Sequence, residues 1–258
     1  MHDPLVTKLK KIIPGLPGII EFLVTLAWAP RYIGQWRALK QSARRTSARF
    51  DLSLKNAYPR LLDATSTTPF DPHYIYHPAW AARILAETKP EKHVDIASLL
   101  AFPTIVSAFI PVDYYDYRPA NLRLSGLESR PGNLHALPFA DNSVQSLSCM
   151  HTIEHVGLGR YGDPIDYDGD LKAIAEMIRV LAPGGTLLFV VPVGQPRIEF
   201  NAHRIYSYEQ IRKAFSTLTL KEFSLIPDDH KTYGLIKNAD SSLVAAQRYA
   251  CGCFWFTK

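Results

Sequence analysis

The chain has 258 residues and a formal net charge of +5, and 47% of its residues are hydrophobic. These values are ordinary for a soluble globular protein that is long enough to bury a sizeable core. Its three cysteines, Cys149, Cys251 and Cys253, do not form a disulfide framework, and Cys251-Gly-Cys253 has the wrong spacing for a zinc knuckle. We therefore interpret all three as reduced strand residues of a cytoplasmic protein.

The N-terminal part of the chain, residues 12–49, joins an apolar segment to a basic one. Pro14, Pro17 and Glu21 interrupt the apolar segment, whose uninterrupted part is too short to span a bilayer. No small-residue signal-peptidase site follows it. An apolar helix before a basic segment is typical of a peripheral anchor, here on the inner face of the cytoplasmic membrane. A helix packed on the main domain is the alternative.

The basic segment is dense in charge, because Arg31–Arg60 carries eight basic residues and a single acid, Asp51. Anionic lipid, a nucleotide diphosphate or nucleic acid could each bind such a block, and a solvated helix face is the other interpretation. We divide the chain near residue 70, into an N-terminal helical and basic extension (1–70) and an α/β domain (71–258).

Apolar runs alternate with amphipathic segments after residue 70, as a parallel sheet covered by helices requires. The pattern predicts a doubly wound α/β fold with a seven-stranded, mostly parallel sheet whose last strand is antiparallel at the end. Helices are expected at Trp80–Thr88, at Asp170–Leu181 with Asp170 as its cap, and from Ser207, with Gln210 in the capping-box position. The expected strands are His93–Ile96, Phe109–Tyr115, Asn133–His135, Val144–Met150, Thr186–Val191, Leu220–Ile226 and Tyr249–Phe256.

Two motifs carry a family resemblance. The string LPFADNSVQSLSCMHTIEHV, then a helix and RVLAPGGTLLFVVP, resembles class I S-adenosylmethionine-dependent methyltransferases. The longer strings GLGRYGDPIDYDGD and PVGQPRIEFNAHRIYS resemble a bacterial branch of uncharacterised methyltransferase-like proteins associated with surface-polysaccharide genes. The resemblance implies a Rossmann-like fold and methylation of a sugar of a surface polysaccharide, or of its nucleotide- or lipid-linked precursor.

The same resemblance implies a site for S-adenosylmethionine. Asp95 and the loop after it stand where a glycine-rich loop follows the first strand, and Asp116 stands where an acid binds the ribose hydroxyls. Two features depart from the family: HVDIASLLAFPT contains no glycine to give the cofactor room, and no acid precedes Leu137. The implied cofactor-binding residues are Asp95, Ala97, Ser98, Asp116, Leu137 and His151.

Histidines provide the candidate acid–base chemistry. Glu154-His155 follows a strand end, where a histidine could deprotonate a sugar hydroxyl. The alternative is that His155 caps a helix or satisfies buried backbone. His203 beside Arg204 suits a base next to an anion clamp. The catalytic candidates are therefore His155, His203 and Glu154.

The Asp- and Gly-rich loop, residues 157–170, is interpreted as a substrate lid. A divalent cation held by its carboxylates and a solvated turn are the alternatives, and its spacing does not match an EF-hand. We assign no metal ligands. The candidate substrate-binding residues are Arg160, Tyr161, Asp163, Arg204 and Tyr206.

Other functions remain open at this stage. The glycine-free loop suits a non-methylating scaffold or partner protein in polysaccharide synthesis. A different sugar-modifying reaction, assisted by a metal at the Asp-rich loop, is a weaker alternative. Nucleic-acid methylation is the least favoured, because no Asn-Pro-Pro-Tyr-like base-flipping motif follows the fourth strand.

Overall fold

The computed structural model describes residues 16–45, 49–61 and 63–258, which form two compact units that meet in sequence between Phe70 and Asp71. The first unit contains helix α1, Leu16–Arg44, and a 3-10 turn at Leu54–Asn56. The predicted apolar segment thus begins, at residues 12–15, outside the described residues. Among the described helices, none combines the length and apolar character needed to cross a membrane.

The second unit contains a seven-stranded sheet and a small hairpin. Its strands are β1 (His93–Ile96), β2 (Val112–Asp116), β3 (Leu127–Pro131), β4 (Val144–Met150), β5 (Leu181–Val193), β6 (Arg197–Glu199), β7 (His203–Ile205), β8 (Thr219–Ile226) and β9 (Ala250–Thr257). The sheet has the order β3-β2-β1-β4-β5-β9-β8, and β6 pairs only with β7. All neighbours in the sheet are parallel except β9, which is antiparallel to both β5 and β8. The predicted fold class is confirmed.

Helices cover both faces of this sheet. They are α2 (Pro72–Thr88), α3 (Ala101–Val106), α4 (Gly169–Val180), α5 (Tyr208–Ala214) and α6 (His230–Tyr233), with 3-10 turns at Ile153–His155 and Ser241–Ala246. Trp80, Leu85 and Phe102 from α2 and α3 pack in one core, and Met177 and Ile211 from α4 and α5 pack in the other. The central strands are buried on both faces, as parallel strands between two helical layers must be.

Several predicted elements differ in place or extent. The third strand is Leu127–Pro131 and not Asn133–His135, which forms a turn closed by a bridge between Asn133 and Ala136. The second strand begins three residues later than expected, since a turn after α3 occupies residues 107–110. The last strand is antiparallel as predicted, but it lies between β5 and β8 and not at the edge of the sheet.

Two helix starts also differ, and a third is confirmed. α2 begins at Pro72 and not at Trp80, because the Asp71 carboxylate accepts two backbone N–H bonds and proline suits the first helical turn. Asp168, not Asp170, precedes α4, which leaves Asp170 inside its first turn. The capping box between Ser207 and Gln210 forms as expected.

A buried polar chain joins β1 to β4 below the carboxyl edge. His93 is fully buried, with Nδ1 2.7 Å from Ser146 Oγ and Nε2 2.8 Å from Ser148 Oγ. Ser148 in turn donates to the Asp95 carboxylate, so its oxygen must accept the proton on His93 Nε2. Burial lowers the pKa of His93 to about 3, which keeps the imidazole neutral. This series of buried hydrogen bonds fixes the register of the two central strands beside the site.

Arg204 holds the Asp/Gly-rich loop in place. This buried guanidinium donates to the backbone carbonyls of Val156 (2.5 Å) and Tyr167 (3.0 Å), near the two ends of the loop. Its Nε lies 3.6 Å from the buried carboxylate of Asp170, which also accepts a hydrogen bond from Tyr206. A charged group without solvent is stable only when it is paired and hydrogen-bonded, as Arg204 is here.

We predict that Arg204→Ala lowers the free energy of unfolding by about 3–5 kcal/mol, because it leaves the Asp170 charge and loop carbonyls buried without partners. Lys172→Ala, which removes an exposed ion pair with Asp166 on the same loop, should cost less than about 1 kcal/mol. Urea unfolding of both variants, with limited proteolysis of the loop, measures the difference. Equal destabilisation by the two substitutions would contradict this role for Arg204.

Candidate functional site

A cavity of about 320 Å³ opens at the carboxyl ends of β1, β2 and β4. This edge is where open parallel sheets bind their ligands, and the volume lies in the range of small-molecule pockets. Of the six implied cofactor residues, Ala97, Asp116 and His151 line the cavity. The buried side chains of Asp95, Ser98 and Leu137 are not part of its lining.

In the turn after β1, an alanine adopts a backbone conformation that usually requires glycine. Ala97 has φ +55°, in the left-handed region that costs a non-glycine residue roughly 1–2 kcal/mol. Its carbonyl accepts a hydrogen bond from Thr152 Oγ1 at 2.7 Å, and the next N–H, of Ser98, donates to Asp95 at 3.1 Å. Asp95 and Ser98 thus position the loop, while the Ala97 methyl group enters the cavity lining.

Asp116 stands at the end of β2 with its carboxylate at the cavity. Oδ1 accepts from the Arg118 N–H at 2.7 Å, and Oδ2 accepts from the Tyr114 hydroxyl at 2.9 Å. Each carboxylate oxygen can accept more than one hydrogen bond, so acceptor capacity remains for a ligand diol. The two protein donors hold the Asp116 carboxylate in one orientation, which fixes where its remaining lone pairs point.

Leu137, one of the implied cofactor-binding residues, lies outside the cavity lining. Leu137 is 4% exposed and belongs to the core, and its N–H donates to the Glu176 carboxylate. Asn133, Leu134 and His135 line the cavity instead. Sequence reasoning assigned these three residues to a strand, and the asparagine start of the turn was the local signal that could have corrected it.

His155, Glu154 and His151 meet at the end of β4. Glu154 Oε1 lies 2.8 Å from His151 Nδ1 and 3.7 Å from His155 Nε2. Burial raises the pKa of Glu154, but the neighbouring histidines outweigh it and the net pKa is lowered, so the carboxylate is ionised. Glu154 itself is 1% exposed and does not line the cavity, and its hydrogen bond positions the His151 imidazole.

The ring of His155 faces the cavity with a defined tautomer. Its Nδ1 lies 2.6 Å from the Ala202 carbonyl, which can only accept, so Nδ1 carries the proton and Nε2 the lone pair. Burial lowers the pKa of His155 below its usual value, although Glu154 partly opposes this. The backbone contact proposed as the alternative role is therefore present, and Nε2, which lies 3.5 Å from Arg160 Nη1, carries the lone pair.

A cation–π cluster forms the rim above His155. The Tyr161 ring packs edge-on to His155, and the Arg118 guanidinium lies 4.4 Å from the Tyr161 ring centroid, with that of Arg160 at 5.1 Å. Arg160 Nη1 also donates to the Ala202 carbonyl at 3.1 Å. Arg118 was missed by sequence reasoning, because the loop after β2 offers no motif. The contact joins the loop after β2 to the predicted lid.

The carboxylates of the lid are used within the loop. Asp163 lines the cavity, but its oxygens accept from the N–H groups of Gly157 (2.7 Å) and Tyr161 (3.2 Å). Asp166 pairs with Lys172, and Asp170 with Arg204 and Tyr206. Within the described ranges, these carboxylates do not converge as cation ligands would.

His203, Arg204 and Tyr206 are not part of this lining, and Arg204 and Tyr206 instead line a second cavity of about 560 Å³. His203 packs edge-on to His155 at 6.4 Å between ring centroids and lies 3.3 Å from the Glu199 carboxylate. The roles of Arg204 as an anion clamp and of Tyr206 as a substrate contact stay predictions. Both side chains are buried, and their polar groups hold the lid loop and Asp170.

Comparison with known proteins bears on this geometry. A family model described as "Caenorhabditis protein of unknown function, DUF268" matches residues 139–235. The comparison with curated proteins gives no match.

Solved structures of methyltransferases resemble the chain. The N-methyltransferase NodS from Bradyrhizobium japonicum WM9, in complex with S-adenosyl-L-homocysteine, superposes with a TM-score of 0.52 at 13% identity, over 73% of this chain and 88% of NodS. A candidate methyltransferase from Bacillus halodurans C-125 gives a TM-score of 0.50 at 14% identity, over 70% of this chain and 98% of that protein. At such identities the likeness shows the fold alone. The chain therefore has the Rossmann-like fold of class I S-adenosylmethionine-dependent methyltransferases.

Proposed function

We propose that this protein is an S-adenosylmethionine-dependent methyltransferase that modifies a hydroxyl group of a sugar. One observation carries the proposal: a single cavity brings together the Asp116 carboxylate, the left-handed turn at Ala97 and the lone pair of His155. The first two features suit a nucleoside cofactor, and the third suits a general base. The fold supports the same interpretation, as do the solved relatives.

The residues present fit the cofactor at two points. Asp116 retains acceptor capacity for the two ribose hydroxyls, and Asn133 to His135 border the adjoining part of the cavity. The backbone at Ala97 has the positive φ that the usual glycine provides, so the loop keeps its path and differs by one methyl group. When bound, S-adenosylmethionine supplies an electrophilic methyl group to the acceptor.

His155 provides the proton chemistry in this proposal. The Ala202 carbonyl keeps the ring in one tautomer, and the lowered pKa keeps Nε2 free to accept the acceptor's hydroxyl proton at neutral pH. Arg160 and Tyr161 border the ring and restrict its movement. Because catalysis in methyl transfer depends mainly on positioning the two reactants, these contacts matter as much as the base.

The acceptor is proposed to be a saccharide, free or in a nucleotide- or lipid-linked surface-polysaccharide precursor. Tyr161 is 38% exposed on the rim, where an aromatic face can pack against a sugar ring. Arg118 and Arg160 at the same rim could bind the phosphate groups of a linked precursor. Arg118 lines the cavity two residues after Asp116, and Arg160 reaches the rim through its contact with the Tyr161 ring.

A non-methylating scaffold is the second candidate. The observation in its favour is the loop after β1, where the Ala97 methyl group lies in the cavity lining and Leu99 is 41% exposed. Such a protein would keep the fold and lose the cofactor. Titration with S-adenosylmethionine distinguishes the two candidates, since only the first binds it.

We predict that calorimetric titration shows binding of S-adenosylmethionine and that Asp116→Asn weakens it roughly 10- to 100-fold, the value of a charge-assisted hydrogen bond of about 1.5–3 kcal/mol. Asp113→Asn is the matched control, because Asp113 lies on the same strand, pairs with Lys92 and is not part of the cavity lining. No binding by the wild-type protein would overturn the proposal and favour the scaffold.

We predict that His155→Gln lowers kcat by about 100-fold or more, the usual contribution of a general base, and changes cofactor affinity little. Methyl transfer from labelled S-adenosylmethionine to nucleotide-linked sugars provides the assay. The wild-type rate should fall on the acid side only at a pH below the usual histidine pKa, because burial lowers the pKa of His155. An unchanged kcat in the variant would exclude His155 as the base.

Residues 12–49 are proposed to bind an anionic membrane surface. In the described part, Arg31, Arg37 and Lys40 are exposed on α1 beside the exposed Ile33 and Leu39. Basic residues near anionic lipid contribute about 1 kcal/mol each.

We predict that the protein sediments with vesicles containing anionic lipid and much less with neutral ones, and that high salt weakens the binding. Replacing Arg31, Arg37 and Lys40 together by Gln should release it. Replacing Lys231 and Lys237 of the second unit by Gln serves as the control and should leave binding unchanged. Equal binding to neutral vesicles would contradict an electrostatic anchor.

A further inference from the structure

Histidine side chains cluster beside the cavity in a place that the proposed methyl transfer does not use. His73 and His77 lie one turn apart on α2, and their rings are stacked or tilted against that of His151, with centroids 5.1 Å from it in both cases. Cys251, at the start of β9, lies beside His73 and His151. The exposed fraction of each of these side chains is 7% or less.

Three of these residues converge as a ligand set. One ligand atom each of His73, His151 and Cys251 lies within 4.8 Å of the other two, and within the described ranges no other set of three His, Cys, Asp or Glu side chains does so. Bonds of about 2.0–2.3 Å to a tetrahedral zinc ion place its ligands roughly 3.5 Å apart. Binding of zinc would therefore require the ligand atoms to approach one another by about 1 Å.

The surrounding hydrogen bonds prepare the imidazoles as ligands. His151 Nδ1 bonds to the Glu154 carboxylate at 2.8 Å, and within the described chain its buried Nε2 has no hydrogen-bond partner. His77 shows the same arrangement, with Nδ1 2.6 Å from the His73 carbonyl and Nε2 unpartnered. A histidine that binds metal donates its other N–H to a carboxylate or carbonyl in this way, which directs the free lone pair at the ion.

The charges also favour a divalent cation. A zinc ion with the Cys251 thiolate and the buried Glu154 carboxylate sums to zero (+2 −1 −1). A bound cation stabilises the thiolate form of Cys251, which has no access to solvent.

We propose that His73, His151 and Cys251 bind a zinc ion, with His77 beside them. Nitrogen and sulfur ligands favour zinc over magnesium and calcium, which prefer oxygen. Three protein ligands leave a fourth position, as in zinc sites that take a water or a substrate group. The ion would tie the first turn of α2 to the ends of β4 and β9, next to the cavity that His151 lines. Its binding does not depend on the proposed methyl transfer.

The test uses the full chain purified without a histidine tag. After incubation with Zn²⁺ alone and removal of unbound metal, elemental analysis should find about one zinc per chain, the content of a single site. Replacement by Co²⁺ should give the intense visible absorption of a tetrahedral site and a thiolate-to-cobalt charge-transfer band. Less than about 0.1 zinc per chain, or a cobalt spectrum without the thiolate band, would overturn the proposal.

Two cysteine variants locate the ion. Cys251→Ser should lose the charge-transfer band and weaken zinc binding by about tenfold or more. Cys253→Ser is the control, since this buried cysteine lies two residues away on the same strand, 4.0 Å from Cys251 Sγ, and outside the ligand set. Retention of the band in Cys251→Ser, or its loss in both variants, would show that the assignment is wrong. Should Cys251→Ser fail to fold, His73→Gln serves in its place, with the expected outcome a loss of bound zinc.

Discussion

Two left-handed turns at the ends of neighbouring parallel strands determine the shape of the site. Ala97 after β1 and His151 after β4 both have φ +55°, although neither is glycine. Cross-strand hydrogen bonds hold the turns against that strain: Thr152 donates to the Ala97 carbonyl, and the Met150 N–H donates to Ser98 Oγ. Such strain persists only where the surroundings over-determine it, and it commonly marks functional positions. The cavity exists because both strands stop together at this edge.

The sequence identifies the strands that are buried on both faces and misses the one that is not. β1 (His93–Ile96) and β4 (Val144–Met150) mix apolar and polar residues, and they form where the pattern predicts them. β3 at the edge is mostly exposed, with the residues Leu-Glu-Ser-Arg-Pro, and has no apolar period to detect. The start of α2 was missed for a different reason, since two prolines in PHYIYHP suggest an irregular connector while Asp71 and Pro72 in fact begin a helix.

Site residues are harder to predict, because residue type does not reveal burial. Arg204 follows a histidine near the lid and suits an anion clamp by its chemistry, yet its guanidinium is buried and donates to three backbone carbonyls. Leu137 keeps the family's position and faces the core. His73 and Cys251 come from segments 178 positions apart in the numbering, and only the packing of α2 against β9 brings them to His151. A local sequence motif cannot reveal a cluster whose members are this far apart in the sequence.

Glu154 links the two halves of the site. Its Oε1 is shared between His151 on the side of the histidine cluster and His155 on the side of the cavity, at 2.8 Å and 3.7 Å. The buried carboxylate orients the His151 ring through a hydrogen bond, and its negative charge also acts on the unprotonated Nε2 of His155. Substitution of Glu154 would therefore disturb ligand geometry and the candidate base together, and a loss of activity there could not be assigned to proton transfer. His155, with its tautomer fixed by a backbone carbonyl and not by Glu154, is the residue at which the chemistry can be tested separately.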